Sequence, residues 1–87
     1  MRKIYYKPSA IRIIKKFKPI EKKIFFQIKE EIRAIPEAGG FLSGKLSGLR
    51  KWKYRVGGIP FRIVYGFAKN RIDIIAVGKR KDFYEKL

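Results

Sequence analysis

Hydrophobic and polar positions alternate along this chain with two different periods, and the change from one to the other divides it near the middle. Lys3-Ile4-Tyr5-Tyr6-Lys7 is a short β-prone run closed by Pro8. Ser9 is the expected N-cap of a first helix, along which Ile11, Ile14 and Phe17 recur at helical spacing. Pro19 breaks that helix and suits the first turn of the next. There Ile20, Ile24, Ile28 and Ile32 fall at every fourth position, and Phe25 and Ile35 widen the stripe. Lys22, Lys23, Lys29, Glu30 and Arg33 take the other side. The two helices are expected to form a hairpin lying on an apolar surface.

Residues 36–48 read as loop, broken by Gly39-Gly40, Gly44 and Gly48. Neither Gly39-Gly40 nor Gly57-Gly58 lies between a strand and a helix as a phosphate loop would, so both read as turns. Period two then takes over. Trp52-Lys53-Tyr54-Arg55-Val56 alternates apolar with basic, and Gly57-Gly58-Ile59-Pro60 turns the chain. Residues 61–67 form a second strand, Lys69-Asn70 turns again, and residues 71–77 form a third, ended by Gly78. A basic and aromatic tail, Lys79-Arg80-Lys81-Asp82-Phe83-Tyr84, follows. The order β-α-α-β-β-β predicts an α+β domain: an N-terminal strand, a helical hairpin and an antiparallel β-meander, with the hairpin covering one face of the sheet. At 87 residues the chain has room for a single domain, 1–87.

Strand parity sorts the meander into two faces. Trp52, Tyr54, Val56, Phe61, Ile63, Tyr65, Phe67, Ile72, Ile74 and Ala76 should make the core face. Lys53, Arg55, Arg62, Val64, Asp73, Ile75 and Val77 should lie opposite. If the first two of these strands pair as a hairpin, Lys53, Arg55 and Arg62 converge, and Arg80 beyond the third strand is placed to join them. Basic residues on a solvated sheet face are ordinary. Three clustered cations with almost no acid nearby repel one another, however, and Val64, Ile75 and Val77 would shelter them. A half-sheltered cationic concavity suits phosphate.

Charge strengthens that reading. Lys and Arg number 23 against 7 Asp and Glu, a formal net charge of +16, and self-repulsion of that size works against a compact fold. A polyanionic partner would offset it. Residues 45–81 hold 11 basic residues and one acid, Asp73, whereas residues 1–44 hold 11 basic and 4 acidic residues, so the second half is the expected polyanion surface. Cysteine and histidine are both absent and the acids are scattered. Disulfides, thiol chemistry and a metal site are therefore not expected, and no cofactor is called for. No apolar run approaches membrane-spanning length and the first residues make no signal peptide, so the cytoplasm is the expected location, with no membrane and no small-molecule partner.

Four segments carry a resemblance. Lys45-Leu46-Ser47-Gly48, Trp52-Lys53-Tyr54-Arg55-Val56-Gly57, Phe61-Arg62-Ile63-Val64-Tyr65 and Val77-Gly78-Lys79-Arg80, with Tyr84 soon after, resemble the RelE/ParE toxin superfamily in order and spacing over essentially the whole chain. The resemblance implies a RelE-like microbial RNase fold and the toxin of a type II toxin–antitoxin pair, wrapped by an acidic cognate antitoxin. RelE-type members cut messenger RNA in the ribosomal A site, and ParE-type members poison DNA gyrase. Lys53, Arg55, Arg62, Arg80 and Tyr84 match the positions of the nuclease branch, so the chain is expected to act on ribosome-bound mRNA as a metal-independent endoribonuclease. Lys45, Arg50, Lys51, Lys79, Lys81 and Phe83 are expected to bind RNA around that site. The chain departs from members that place a histidine near this end. A gyrase inhibitor without nuclease activity is the alternative, and a passive RNA-binding module stands behind both. In the nuclease reading Arg62 and Arg80 offer forked donors to phosphate oxygens, while Lys53 is the candidate acid and Tyr84 the candidate base.

Overall fold

The structure, a computed structural model, describes residues 2–42, 44 and 47–79. Strand β1 (Lys3–Tyr6) leads into helices α1 (Pro8–Lys15) and α2 (Pro19–Ala34). A 3-10 turn (Pro36–Ala38) and a two-residue strand β2 (Gly40–Phe41) follow. The meander then runs through β3 (Arg50–Val56), β4 (Ile59–Ala68) and β5 (Arg71–Gly78). The five strands form one sheet in the order β1-β5-β4-β3-β2. β1 lies parallel to β5 and the remaining pairs are antiparallel. The α+β architecture is the expected one. β2 is an addition, because a two-residue strand within the glycine-rich stretch carries no periodicity to reveal it.

The second helix begins at Pro19, as expected, and the cap of the first lies two residues before the expected one. Lys7, not Ser9, is the N-cap of α1, with Pro8 as the first helical residue. Ala10 is buried, Ile14 packs against the core and Phe17 is buried just past the helix, whereas Ile11 is exposed. In α2 the buried stripe is Glu21, Phe25 and Ile32, with Ile24 and Ile28 partly buried, while Ile20 is 54% exposed and Ile35 57%. A strict every-fourth row drifts by about 40° per step on a helix of 3.6 residues per turn. Ile20 and Ile32 therefore cannot share one narrow face. Glu21 is at the third helical position, and its Oε1 accepts the Lys18 backbone N–H at 2.8 Å. That closes the helix start as a capping-box glutamate does.

The helices cover one face of the sheet. Phe17 meets Phe25 and Phe61 edge-on, at centroid distances of 6.1 and 5.6 Å, and Tyr54 stacks on Phe61 at 5.4 Å. This joins the bend of the hairpin to the β3–β4 pair. Tyr65 is fully buried and its hydroxyl donates to the Pro36 carbonyl. Arg50 Nη1 donates to the carbonyls of Glu37 and Gly39, at 2.8 and 2.9 Å, so the 3-10 turn is held from two sides. Gly39 is obligatory there, since a Cβ would lie 2.1 Å from the Tyr65 hydroxyl.

One irregularity changes the faces. Val64 pairs with Ala76 but Tyr65 pairs with Ile74, which leaves Ile75 as an extra residue in β5. Parity inverts beyond it. Val77 joins the helix-covered core, and Ala76 turns to the opposite face, where it forms a small cluster with Val64, Leu42, Leu49 and Ile75. The expected assignments of Ala76 to the core face and Val77 to the other are thus exchanged.

Candidate functional site

The turn between β3 and β4 is tighter than the sequence suggests. Only Gly57 and Gly58 turn, both at positive φ (56° and 82°), and Ile59 and Pro60 already belong to β4. A two-residue turn with both central residues in the left-handed region matches the twist of the flanking strands, and glycine adopts it without strain. It fixes the register: Lys53 pairs with Arg62, Arg55 with Pro60 and Lys51 with Val64. On the far side Arg62 pairs with Gly78. Lys51, Lys53, Arg55 and Arg62 therefore occupy the face away from the helices, as parity requires.

The row Lys53–Arg62–Gly78 crosses three strands and is the centre of this face. Gly78 has no side chain, so within this row Arg62 is flanked by a cation on one strand and by backbone on the other. The Val64–Ala76 cluster, packed with Leu42 and Leu49, makes an apolar margin two rows away. Arg62 is half-buried, and its Nε is buried with no hydrogen-bond partner among the described residues. Arg55 is exposed and Nη1 donates to the Gly58 carbonyl at 2.9 Å, which directs its guanidinium along the turn. A cleft of about 330 Å³ opens beside Lys51 and Lys53, lined also by Ala38, Gly39, Gly40 and Trp52. Among the described residues, none of Lys51, Lys53, Arg55 and Arg62 has a carboxylate partner. Asp73, expected on this face, is held by Arg71 in a two-pronged pair at 3.0 and 2.6 Å. It pairs with Gly66, two rows beyond the Val64–Ala76 pair.

Other expected RNA contacts are placed elsewhere. Arg50 belongs to the helix-covered side of β3, where it ties down the 3-10 turn and lies over the Phe41 ring at 4.0 Å. Lys79 Nζ is 3.5 Å from Glu21 Oε2 and above the Phe61 ring. It thus connects the end of β5 to the start of α2. Lys45, Arg80, Lys81, Phe83 and Tyr84 lie outside the described residues.

On the helix-covered side burial and hydrogen bonding shift three groups. Glu21 is held below the usual carboxylate range, first by the Lys18 backbone N–H and further by Lys79, against the opposing effect of burial. Tyr54 is pushed up by burial, and the Glu21 charge adds to it. Tyr65 is also raised, mainly by burial. These tyrosines are packing residues that stay protonated. Glu21 is the one buried charged residue among those described, and apolar periodicity does not single it out. A capping signal does exist for it: once Pro19 is the first helical residue, Glu21 is the third, where a glutamate caps.

The chain belongs to the family of ParE-like toxins of type II bacterial toxin–antitoxin systems, whose model matches residues 4–87. It is thus a member of the RelE/ParE superfamily. The chain is similar in fold to the toxin in the intact E. coli RelBE toxin–antitoxin complex, with a TM-score of 0.75 at 20% identity, over 93% of this chain and 99% of that one. The isolated E. coli RelE toxin matches with a TM-score of 0.73 at 22% identity, over 99% and 94%. The toxin–antitoxin complex RelBE2 from Mycobacterium tuberculosis matches with a TM-score of 0.65 at 21% identity, over 91% and 98%. No curated protein sequence matches the chain.

Proposed function

We propose that this toxin is an mRNA interferase of the RelE type, a metal-independent endoribonuclease that cuts messenger RNA in the ribosomal A site. The observation that carries the reading is the Lys53–Arg62 pair on the bare face, with the buried Nε of Arg62 lacking a partner among the described residues. Two cations directly opposite each other destabilise a sheet, and an unpaired buried donor costs more. A phosphate satisfies both. Arg62 would hold the non-bridging oxygens of the scissile phosphate with its fork of N–H donors. Arg55 and Lys51 would extend the contact along the backbone.

RNA brings its own nucleophile. The 2′-oxygen attacks the adjacent phosphorus, its proton passes to a base, and the bond from phosphorus to the 5′-oxygen breaks as that oxygen takes up a proton. The products are a 2′,3′-cyclic phosphate upstream and a free 5′-hydroxyl downstream. Lys53 is the proposed proton donor, because lysine can give up a proton and arginine effectively cannot. Arg80 and Tyr84, carried over from the resemblance, are proposed as a second phosphate ligand and the base. Stabilisation of the extra charge on phosphorus should supply the largest part of the rate. The partner that silences the site is proposed to be an acidic antitoxin. The net charge of +16 and the toxin–antitoxin complexes among the similar structures support it.

One observation favours a second reading: the matching family is that of ParE-like toxins, and the resemblance to the ParE branch implies DNA gyrase as the target. Primer extension on a translated transcript after induction separates the two. Cuts within ribosome-bound message, with 5′-hydroxyl downstream ends, are expected. Intact message accompanied by gyrase-linked DNA breaks would overturn the nuclease reading.

A further inference from the structure

The helical hairpin carries a second concentration of charge that the sheet face does not use. Lys7, Arg12, Lys15, Lys16, Lys18, Lys22 and Lys23 stand within seventeen residues that contain a single acid, Glu21. Glu21 is 5% exposed, and its oxygens are taken by the Lys18 backbone N–H and by Lys79; the Lys18 charge also acts on it, which leaves one buried acid against seven cations. Lys22 is half-buried and the other six cations are exposed. None of the seven has an ion-pair partner among the described residues.

Folding alone does not explain this placement. Arg12 precedes Lys15 by three positions and Lys16 by four, and Lys18 precedes Lys22 by four at the start of α2; like charges so spaced repel. Lys18, Lys22 and Lys23 also crowd the positive end of the α2 dipole, where acids are favoured. The hairpin lies on the opposite side of the sheet from Lys53 and Arg62, in a body whose shortest extent is 23 Å. A single strand laid along the sheet face cannot reach it. A ligand that neutralises both faces must surround the protein.

We infer that the hairpin bend, centred on Lys15, Lys16, Lys22 and Lys23, is a second RNA-binding surface. It docks on the phosphate backbone of folded RNA flanking the strand that the sheet face engages. The inference rests on the reading of the sheet face as an RNA site. Six of the seven cations are lysines, which suit contact with phosphate without reading sequence. The one aromatic residue in the stretch, Phe17, is buried. Protein–protein interfaces are depleted in lysine and built on aromatic or arginine anchors, which argues against an acidic protein here.

The test is the full-length quadruple variant Lys15→Gln, Lys16→Gln, Lys22→Gln, Lys23→Gln, compared with the unsubstituted toxin for binding to 70S ribosomes over a range of salt. The plot of log K against log salt should become shallower by about 3, since each phosphate that a cation neutralises adds roughly 0.7 to 0.9 to the slope. The cleavage rate at saturating ribosomes should stay within about twofold, and the melting temperature should not fall, because only repulsion has been removed. An unchanged slope overturns the inference. So does unchanged ribosome binding with weakened binding of the antitoxin, which would give the surface to an acidic protein. A lysine-dependent slope with no message cut would instead support this surface and overturn the nuclease reading of the sheet face.

Discussion

The two faces of the sheet are made by the same strands and obey opposite rules. The helix-covered face buries Phe61, Ile63, Tyr65, Ile72, Ile74 and Val77; there Tyr65 bonds to Pro36 and Glu21 to Lys18 and Lys79, while the Tyr54 hydroxyl is buried without a hydrogen-bond partner among the described residues. The bare face sets Lys53 against Arg62 and leaves a buried donor of Arg62 without a partner among the described residues. One face lowers the free energy of the fold, and the other holds unfavourable contacts in place at the first face's expense. Local frustration of that kind is expected where a site is arranged for a ligand. Phe61 and Arg62 make the contrast within two consecutive residues.

Substituting those two residues tests it most severely. Phe61→Ala removes a fully buried ring that touches Phe17 and Tyr54 and should cost about 3–5 kcal/mol, enough to unfold much of a domain this small. Arg62→Ala should leave the melting temperature unchanged or raised while slowing cleavage by about 10² or more. Denaturant melts beside cleavage rates would show it. Equal destabilisation by both would mean that the bare face is a structural face after all.

A smaller effect concerns acid. The Glu21 carboxyl is depressed in the folded state, so its contribution is present above the unfolded-state value and is lost as pH falls through the lower folded one. Stability should therefore decline as pH drops from about 5 toward 3, and Glu21→Gln should flatten that decline while lowering stability at neutral pH. Thermal melts across that range would detect it, and parallel pH profiles would remove Glu21 from the account. The smallest effect sharpens the comparison from the other side. Lys53→Gln removes a like-charge pair and should stabilise the free toxin by roughly 0.2–1 kcal/mol, with the gain shrinking as salt rises. A loss of stability instead would show that Lys53 has a structural partner.

The alternation of Lys53 and Arg55 with Trp52 and Tyr54, and of Arg62 with Phe61 and Ile63, determined which residues share the bare face. The Gly57-Gly58 turn then made Lys53 meet Arg62. Both are local statements, because a strand's period and a turn's length are properties of short stretches. The helical hairpin was legible for the same reason, although the true stripe on α2 is rotated toward Glu21 and away from Ile20. Tertiary structure alone decided the bulge at Ile75. Residues 74–77, Ile-Ile-Ala-Val, are all apolar, so either parity buries something and no polar residue reports the face. The two cores chose instead: one has room for Val77 beside Ile63, the other for Ala76 against Val64. Tertiary structure likewise gave Arg50 to the 3-10 turn and Lys79 to Glu21. A long cation's partner depends on which acid or carbonyl the fold brings within reach, and that is not written in the spacing of the cations.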